Sequence, residues 1–147
     1  MYRKGMTYRT HIMILMILLL TSTSVLSQNK EQKKEIKKSQ VFLGEAEEAL
    51  KKDQFPLAEA DYRKAIALNP KDETGKYNLG TAYYNRDMNE VAMKRFQQAA
   101  AVAIEKNDKQ KAFHNLGNSF MNDKRYKEAV EAYKDALRND PTDDETR

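Results

Sequence analysis

One arrangement of apolar and small positions recurs along this chain. Phe113, Leu116, Gly117, Phe120, Ala129, Tyr133 and Pro141 are preceded at similar intervals by Lys76, Leu79, Gly80, Tyr83, Ala92, Phe96 and Ile104. A weaker copy lies upstream in Phe42, Glu45, Ala46, Ala49, Ala58, Tyr62 and Pro70. Spacings of three and four residues place side chains on one face of a helix. Each copy therefore reads as two helices, A and B, joined by a short turn. The A helices are expected over about 33–52, 73–86 and 109–122, and the B helices over 56–68, 90–105 and 127–138.

The polar positions supply the punctuation. Lys52-Asp53-Gln54, Asn85-Arg86-Asp87 and Asn122-Asp123-Lys124 separate A from B in each pair. Pro56 suits a first helical position, where its missing N–H costs nothing. Asn69-Pro70 and Asp140-Pro141 close B helices, because the residue before proline avoids the helical region. Gly80 and Ala92 are expected on facing helices, as are Gly117 and Ala129, letting the two axes approach. The aromatics Tyr62, Phe96 and Tyr133 are expected to fill the space between one pair and the next. Three extra residues fall near Ile104–Asp108. The Ala-rich run before them favours helix, so the B helix is expected to extend there.

The first 27 residues differ from the rest. Arg3, Lys4, Arg9 and His11 precede an apolar run over 12–20, then Thr21-Ser22-Thr23-Ser24-Val25-Leu26-Ser27 and polar Gln28. A basic start, a nine-residue apolar stretch and small residues at Val25 and Ser27 are the signature of an export leader cleaved before Gln28. Spanning a bilayer needs about 20 apolar residues. This leader also explains the charge: the chain carries +4 overall, but beyond residue 27 it has 23 basic and 22 acidic residues. Nucleic acid is therefore not the expected partner. The run from Lys30 to Lys38, interrupted by Glu31 and Glu35, reads as a solvated stem. The expected organisation is a leader over 1–27, a stem over 28–38, repeats over 39–72, 73–109 (with the short insertion) and 110–143, and the start of a further helix over 144–147.

The order and spacing of the recurring positions resemble the tetratricopeptide pattern W-x2-L-G-x2-Y…A-x3-F…P, one helix pair per 34 residues. The resemblance implies an all-α solenoid of three helix-turn-helix repeats with a right-handed superhelix. Stacking rather than any single repeat would supply the stability. Glu45 and Ala46, where the pattern has Leu and Gly, suit a first repeat with a polar outer face. More narrowly, the leader, three repeats, an insertion before Phe113-His114-Asn115-Leu116-Gly117-Asn118 and the ending from Asp140 to Arg147 resemble the tetratricopeptide protein of the Bacteroides aerotolerance (Bat) operon. That resemblance implies an envelope protein working with membrane-anchored von Willebrand-type partners and a MoxR-type ATPase.

Reactive groups are scarce. The chain has no Cys and two His, of which only His114 lies beyond the leader. No Cys/His pair, Ser/His/Asp triad or His-rich metal site can be assembled, and no Gly-rich phosphate loop is present. No enzyme activity, metal or cofactor is expected. The expected site is the groove lined by the A helices. By the family's pattern it takes Thr74, Tyr77, Asn78, Thr81, Tyr84 and Asn85 from the second repeat. The third contributes Lys111, His114, Asn115, Asn118, Met121 and Asn122. Asn amides both donate and accept, which suits an extended peptide backbone, and Tyr adds rigid apolar area with a polar tip. His114 is expected to be solvated or in contact with the peptide. The carboxylate clamp of chaperone-binding members is not matched, with Leu43 and Glu47 in repeat one and Tyr77 and Thr81 in repeat two. Finally, Asp143–Arg147 reads as the first turn of a further helix. Val130, Tyr133 and Leu137 would then present apolar surface, through which the chain self-associates unless it continues.

Overall fold

The computed structural model describes the backbone of residues 3–147 and the side chains of 11–14, 16 and 27–147. All regular structure among them is helical: α1 (Arg3–Lys51), α2 (Phe55–Leu68), α3 (Thr74–Tyr84), α4 (Asn89–Val102), α5 (Lys106–Asn122) and α6 (Tyr126–Asn139). The chain divides into two compact units, residues 1–37 and 38–147. Residues 28–32, expected as a charged stem ahead of the first A helix, are already part of α1. The side chains of 17–26, on which most of the leader assignment rests, lie outside the described residues.

In the second unit the helices fall into three pairs. Each A-to-B turn uses one residue in the left-handed region: Asp53 (φ 52), Asp87 (φ 58) and Lys124 (φ 59). The same two hydrogen bonds close each turn. Gln54 N donates to Ala49 O and Asp53 N to Leu50 O; Met88 pairs with Tyr83 and Asp87 with Tyr84; Arg125 pairs with Phe120 and Lys124 with Met121. This is the helix-terminating geometry usually given to glycine. Here Asp and Lys occupy it, at some cost in backbone strain. The B helices α2 and α6 stop one residue before Asn69-Pro70 and Asp140-Pro141, as the proline restriction requires.

Glycines set the distance between paired helices. A Cβ built on Gly80 would sit 2.8 Å from Phe96 Cε1, and one on Gly117 would sit 2.6 Å from Tyr133 Cδ1. Each aromatic ring thus lies on the glycine of its own pair. They were expected between pairs; the space left by the missing side chain is instead where each ring goes. Phe96 is 1% exposed and tilts against Tyr77, ring centroids 5.7 Å apart. Ala46, Ala49, Ala58 and Tyr62 extend the same core through the first pair, and Leu116, Phe120, Ala129 and Ala132 through the third. Ser39 Oγ donates to Ala65 O at 3.0 Å, tying α1 to α2.

Two places depart from the sequence pattern. Lys76 stands where the third pair has Phe113, and it is 6% exposed. Its ammonium donates to the carbonyls of Pro70 (2.6 Å) and Asp72 (3.0 Å), closing the α2–α3 turn, while burial draws its pKa down. The second departure is the insertion. Helix α4 does not extend to Glu105 but ends at Val102, with Ala103 extended (ψ 135). The extra residues lengthen α5 instead, and α5 has 17 residues against 11 in α3. Ala99 and Ala100 pack on Ala112, Tyr77 and Phe113. Asp108 enters the first turn of α5, where a carboxylate meets the positive end of the helix dipole.

Substituting the two kinds of glycine should have opposite effects. Gly117→Ala should destabilise the unit by about 1–3 kcal/mol, through overpacking against Tyr133. Gly44→Ala, where nothing lies within 4 Å of the new Cβ, should stabilise it by about 1 kcal/mol through helix propensity. Urea melts decide both signs. In a separate test, Lys124→Gly should relieve the left-handed strain and raise stability by roughly 0.5–1 kcal/mol. A fall would mean that the lysine's own contacts outweigh the backbone strain.

Candidate functional site

The face shared by α3 and α5 gathers several of the expected residues. Thr74, Tyr77, Asn78 and Lys111 line one pocket of about 160 Å³, together with Glu73 and Asp108. Glu73 is the residue before α3, and Asp108 lies in the first turn of α5. The sequence pattern missed both. Asp108 reaches the pocket because the insertion lengthens α5 at its start, and the only signal for that was the register shift itself.

A polar seam crosses between neighbouring A helices. Asn115 Nδ2 donates to the Tyr77 hydroxyl at 2.7 Å, linking the third pair to the second. Asn78 Nδ2 donates to Glu47 Oε1 at 3.3 Å, linking the second to the first. Burial raises the Tyr77 pKa, partly offset by the Asn115 bond, so the phenol stays protonated at neutral pH. Because its oxygen accepts from Asn115, its proton can be donated outward. Thr81 Oγ1 bonds back to Tyr77 O at 3.2 Å.

Other expected residues are engaged elsewhere. Asn118 Oδ1 accepts from the Tyr133 hydroxyl at 2.6 Å. His114 is largely covered by neighbouring residues: its side chain is 14% exposed. Its Nδ1 lies 2.7 Å from Thr146 Oγ1, and its Nε2 lies 3.9 Å from Glu145. Thr146 is 7% exposed, and Asp143 accepts from both Gln110 and Thr146. The C-terminal residues dock against α5 through these contacts. Asn85 caps the end of α3, Asn122 ends α5 and Met121 is 44% exposed, so these three sit at the helix ends away from the pocket. Tyr84 is half-buried against the core.

Comparison with known proteins agrees with this helix-pair architecture. Sequence profiles described as tetratricopeptide repeat match residues 43–108 and 111–143, together well over half of the chain. The chain belongs to the tetratricopeptide repeat family. It is 27% identical over 110 residues to small glutamine-rich tetratricopeptide repeat-containing protein 2 of Mycosarcoma maydis. That match takes in 75% of this chain but 30% of the relative's length. Among solved structures it is similar to the N-terminal domain of stress-induced protein-1 from C. elegans. There the TM-score is 0.74 and the identity 22%, over 76% of this chain and 91% of that one. It is also similar to the second such domain of human RPAP3, solved in complex with the HSP70 peptide SGPTIEEVD. In that case the TM-score is 0.66 and the identity 18%, over 78% and 91%. The tetratricopeptide fold is a protein-interaction scaffold.

The seam predicts coupling between repeats. Tyr77→Phe and Asn115→Ala should each lower stability by about 1 kcal/mol, the usual net value of such a hydrogen bond. Combined, they should lose clearly less than the sum in a double-mutant cycle. Additive losses would show that the bond does not join the repeats.

Proposed function

We propose that this chain is an exported, non-enzymatic docking protein of the bacterial cell envelope. It holds a protein or extended peptide segment on the face of its A helices. The observation that carries the reading is the pocket at Thr74, Tyr77, Asn78 and Lys111 beside the seam at Asn115. It offers donors, acceptors and aromatic area, the components of backbone recognition rather than of catalysis. The peptide bound by the human RPAP3 domain supports a peptide ligand for this fold. This chain's own side chains point to a different one. Glu47 and the pocket's Glu73 and Asp108 disfavour an acidic tail, and no lysine stands at the expected clamp positions. The leader pattern supports export with cleavage between Ser27 and Gln28. The Bat-type resemblance supplies the candidate partners, von Willebrand-type membrane proteins working with a MoxR-type ATPase. Assembly of outer-membrane or secretion machinery is the neighbouring alternative.

One observation favours a second reading, self-association. Met93 is 4% exposed, Phe96 1% and Ala100 5%, whereas their counterparts in α6 are less covered: Val130 is 50% exposed, and Tyr133 and Leu137 are partly buried.

Replacing Thr74, Asn78 and Lys111 together with Ala should abolish capture of a von Willebrand-type envelope partner while leaving helicity unchanged. Capture that survives this variant, and is lost instead when outward residues of α4 or α6 are changed, would overturn the docking face. Concentration-dependent association of the purified chain, removed by Val130→Lys, would select the second reading. N-terminal sequencing of the exported protein should begin at Gln28.

A further inference from the structure

In the first unit, the lysines that read as a solvated stem fall on one side of a helix. Lys30, Lys33, Lys34 and Lys37 are all exposed within α1. At 3.6 residues per turn they occupy an arc of about 100°; Glu35 falls well outside it, and Glu31 borders the hollow that the four lysines line. Glu31 meets Lys34 at 3.5 Å, an open pair with side chains 64% and 77% exposed. A pair this exposed leaves the lysine's charge available. Upstream on the same helix, Ile12, Met13, Ile14 and Met16 are exposed large apolar residues. No acid occurs in the first 27 residues. Among the described residues, no helix is long and apolar enough to cross a membrane.

We propose that the face formed by Lys30, Lys33, Lys34 and Lys37 is a docking surface for an anionic bilayer. A lysine row on one helix face, with its acids to the side, is complementary to a plane of negative headgroups. An acid inside the arc would have been carried into that plane. The apolar residues ahead of it are placed to enter the headgroup region while the leader is attached. The lysine face itself lies beyond the expected cleavage point, so a processed chain keeps it and binds by charge alone. That surface would concentrate the repeat unit at the membrane, where a membrane-anchored partner would be found.

The test is co-sedimentation of the full 147-residue chain with phosphatidylcholine vesicles, with and without phosphatidylglycerol. Binding should require phosphatidylglycerol for most of its strength and should fall with added salt, since surface charge is screened within about 10 Å at 0.1 M ionic strength. Each lysine near such a surface contributes roughly a fivefold gain. K30Q/K33Q/K34Q/K37Q and the corresponding Glu variant should therefore bind at least about tenfold more weakly, and the Arg variant should bind like the parent. Melting of the repeat unit, which the four residues lie outside, should be unchanged. Equal pelleting on neutral and anionic vesicles overturns the proposal, since the apolar residues alone would then account for binding. Undiminished binding by the Gln variant overturns it as well. A single-stranded oligonucleotide that strips the parent from vesicles at lower concentration than the lipid requires would assign the face to nucleic acid instead.

Discussion

The contact on which the array depends is an aromatic ring resting on a glycine. Phe96 on Gly80 and Tyr133 on Gly117 leave no room for even one methyl group. The ring, rather than a side chain on the A helix, determines how closely the two helices of a pair approach. That distance decides where the A helix faces its neighbour, and hence whether Asn115 can reach Tyr77 and whether Tyr133 can reach Asn118. Packing and pocket are linked because Phe96, which fills the core, tilts against Tyr77, which lines the pocket between α3 and α5.

The first pair meets the same demand differently. Ala46 replaces the glycine, and both Ala46 and Tyr62 remain buried, at 0% and 1% exposure. Its outer side carries Glu45, Glu48 and Lys52 around an open groove. Both the first pair and α6 present mixed surfaces, with exposed Leu57 among charged residues on one and exposed Val130 on the other. The polar part of such a surface costs little in water, whereas the apolar part favours being covered.

The parts of this fold that were legible in the sequence were those set by residues close together in the chain. Asn-Pro and Asp-Pro mark the ends of B helices because proline constrains its immediate neighbour. The polar triplets hold the left-handed residues because helix termination is a local event. The small and aromatic positions announced the helix pairs. What stayed hidden depends on distant partners. Alanine's preference alone would carry α4 through the insertion, yet the helix stops at Val102 and Ala103 is buried just past its end. His114 reads as a surface residue until Thr146, 32 positions later, is placed on it. Lys76 looks out of place in an apolar position until the carbonyls of Pro70 and Asp72 are seen to receive its ammonium. The lysine row shares a face only if helix continues upstream of residue 33, where the pattern of apolar positions no longer gives any guidance.

The lengthened start of α5 bears on how such arrays diversify. Additional residues between two repeats commonly emerge as a loop, which adds chain without adding order. Here they become further helix, so Asp108 is held by the same scaffold that holds Lys111 and Tyr77. None of the ring-on-glycine contacts has to change to accommodate it. A repeat can thus gain a charged wall for its pocket by growing at one end, independently of the residues that keep it stacked. Two arrays with identical packing positions could then differ in what they recognise through the length of a single inner helix.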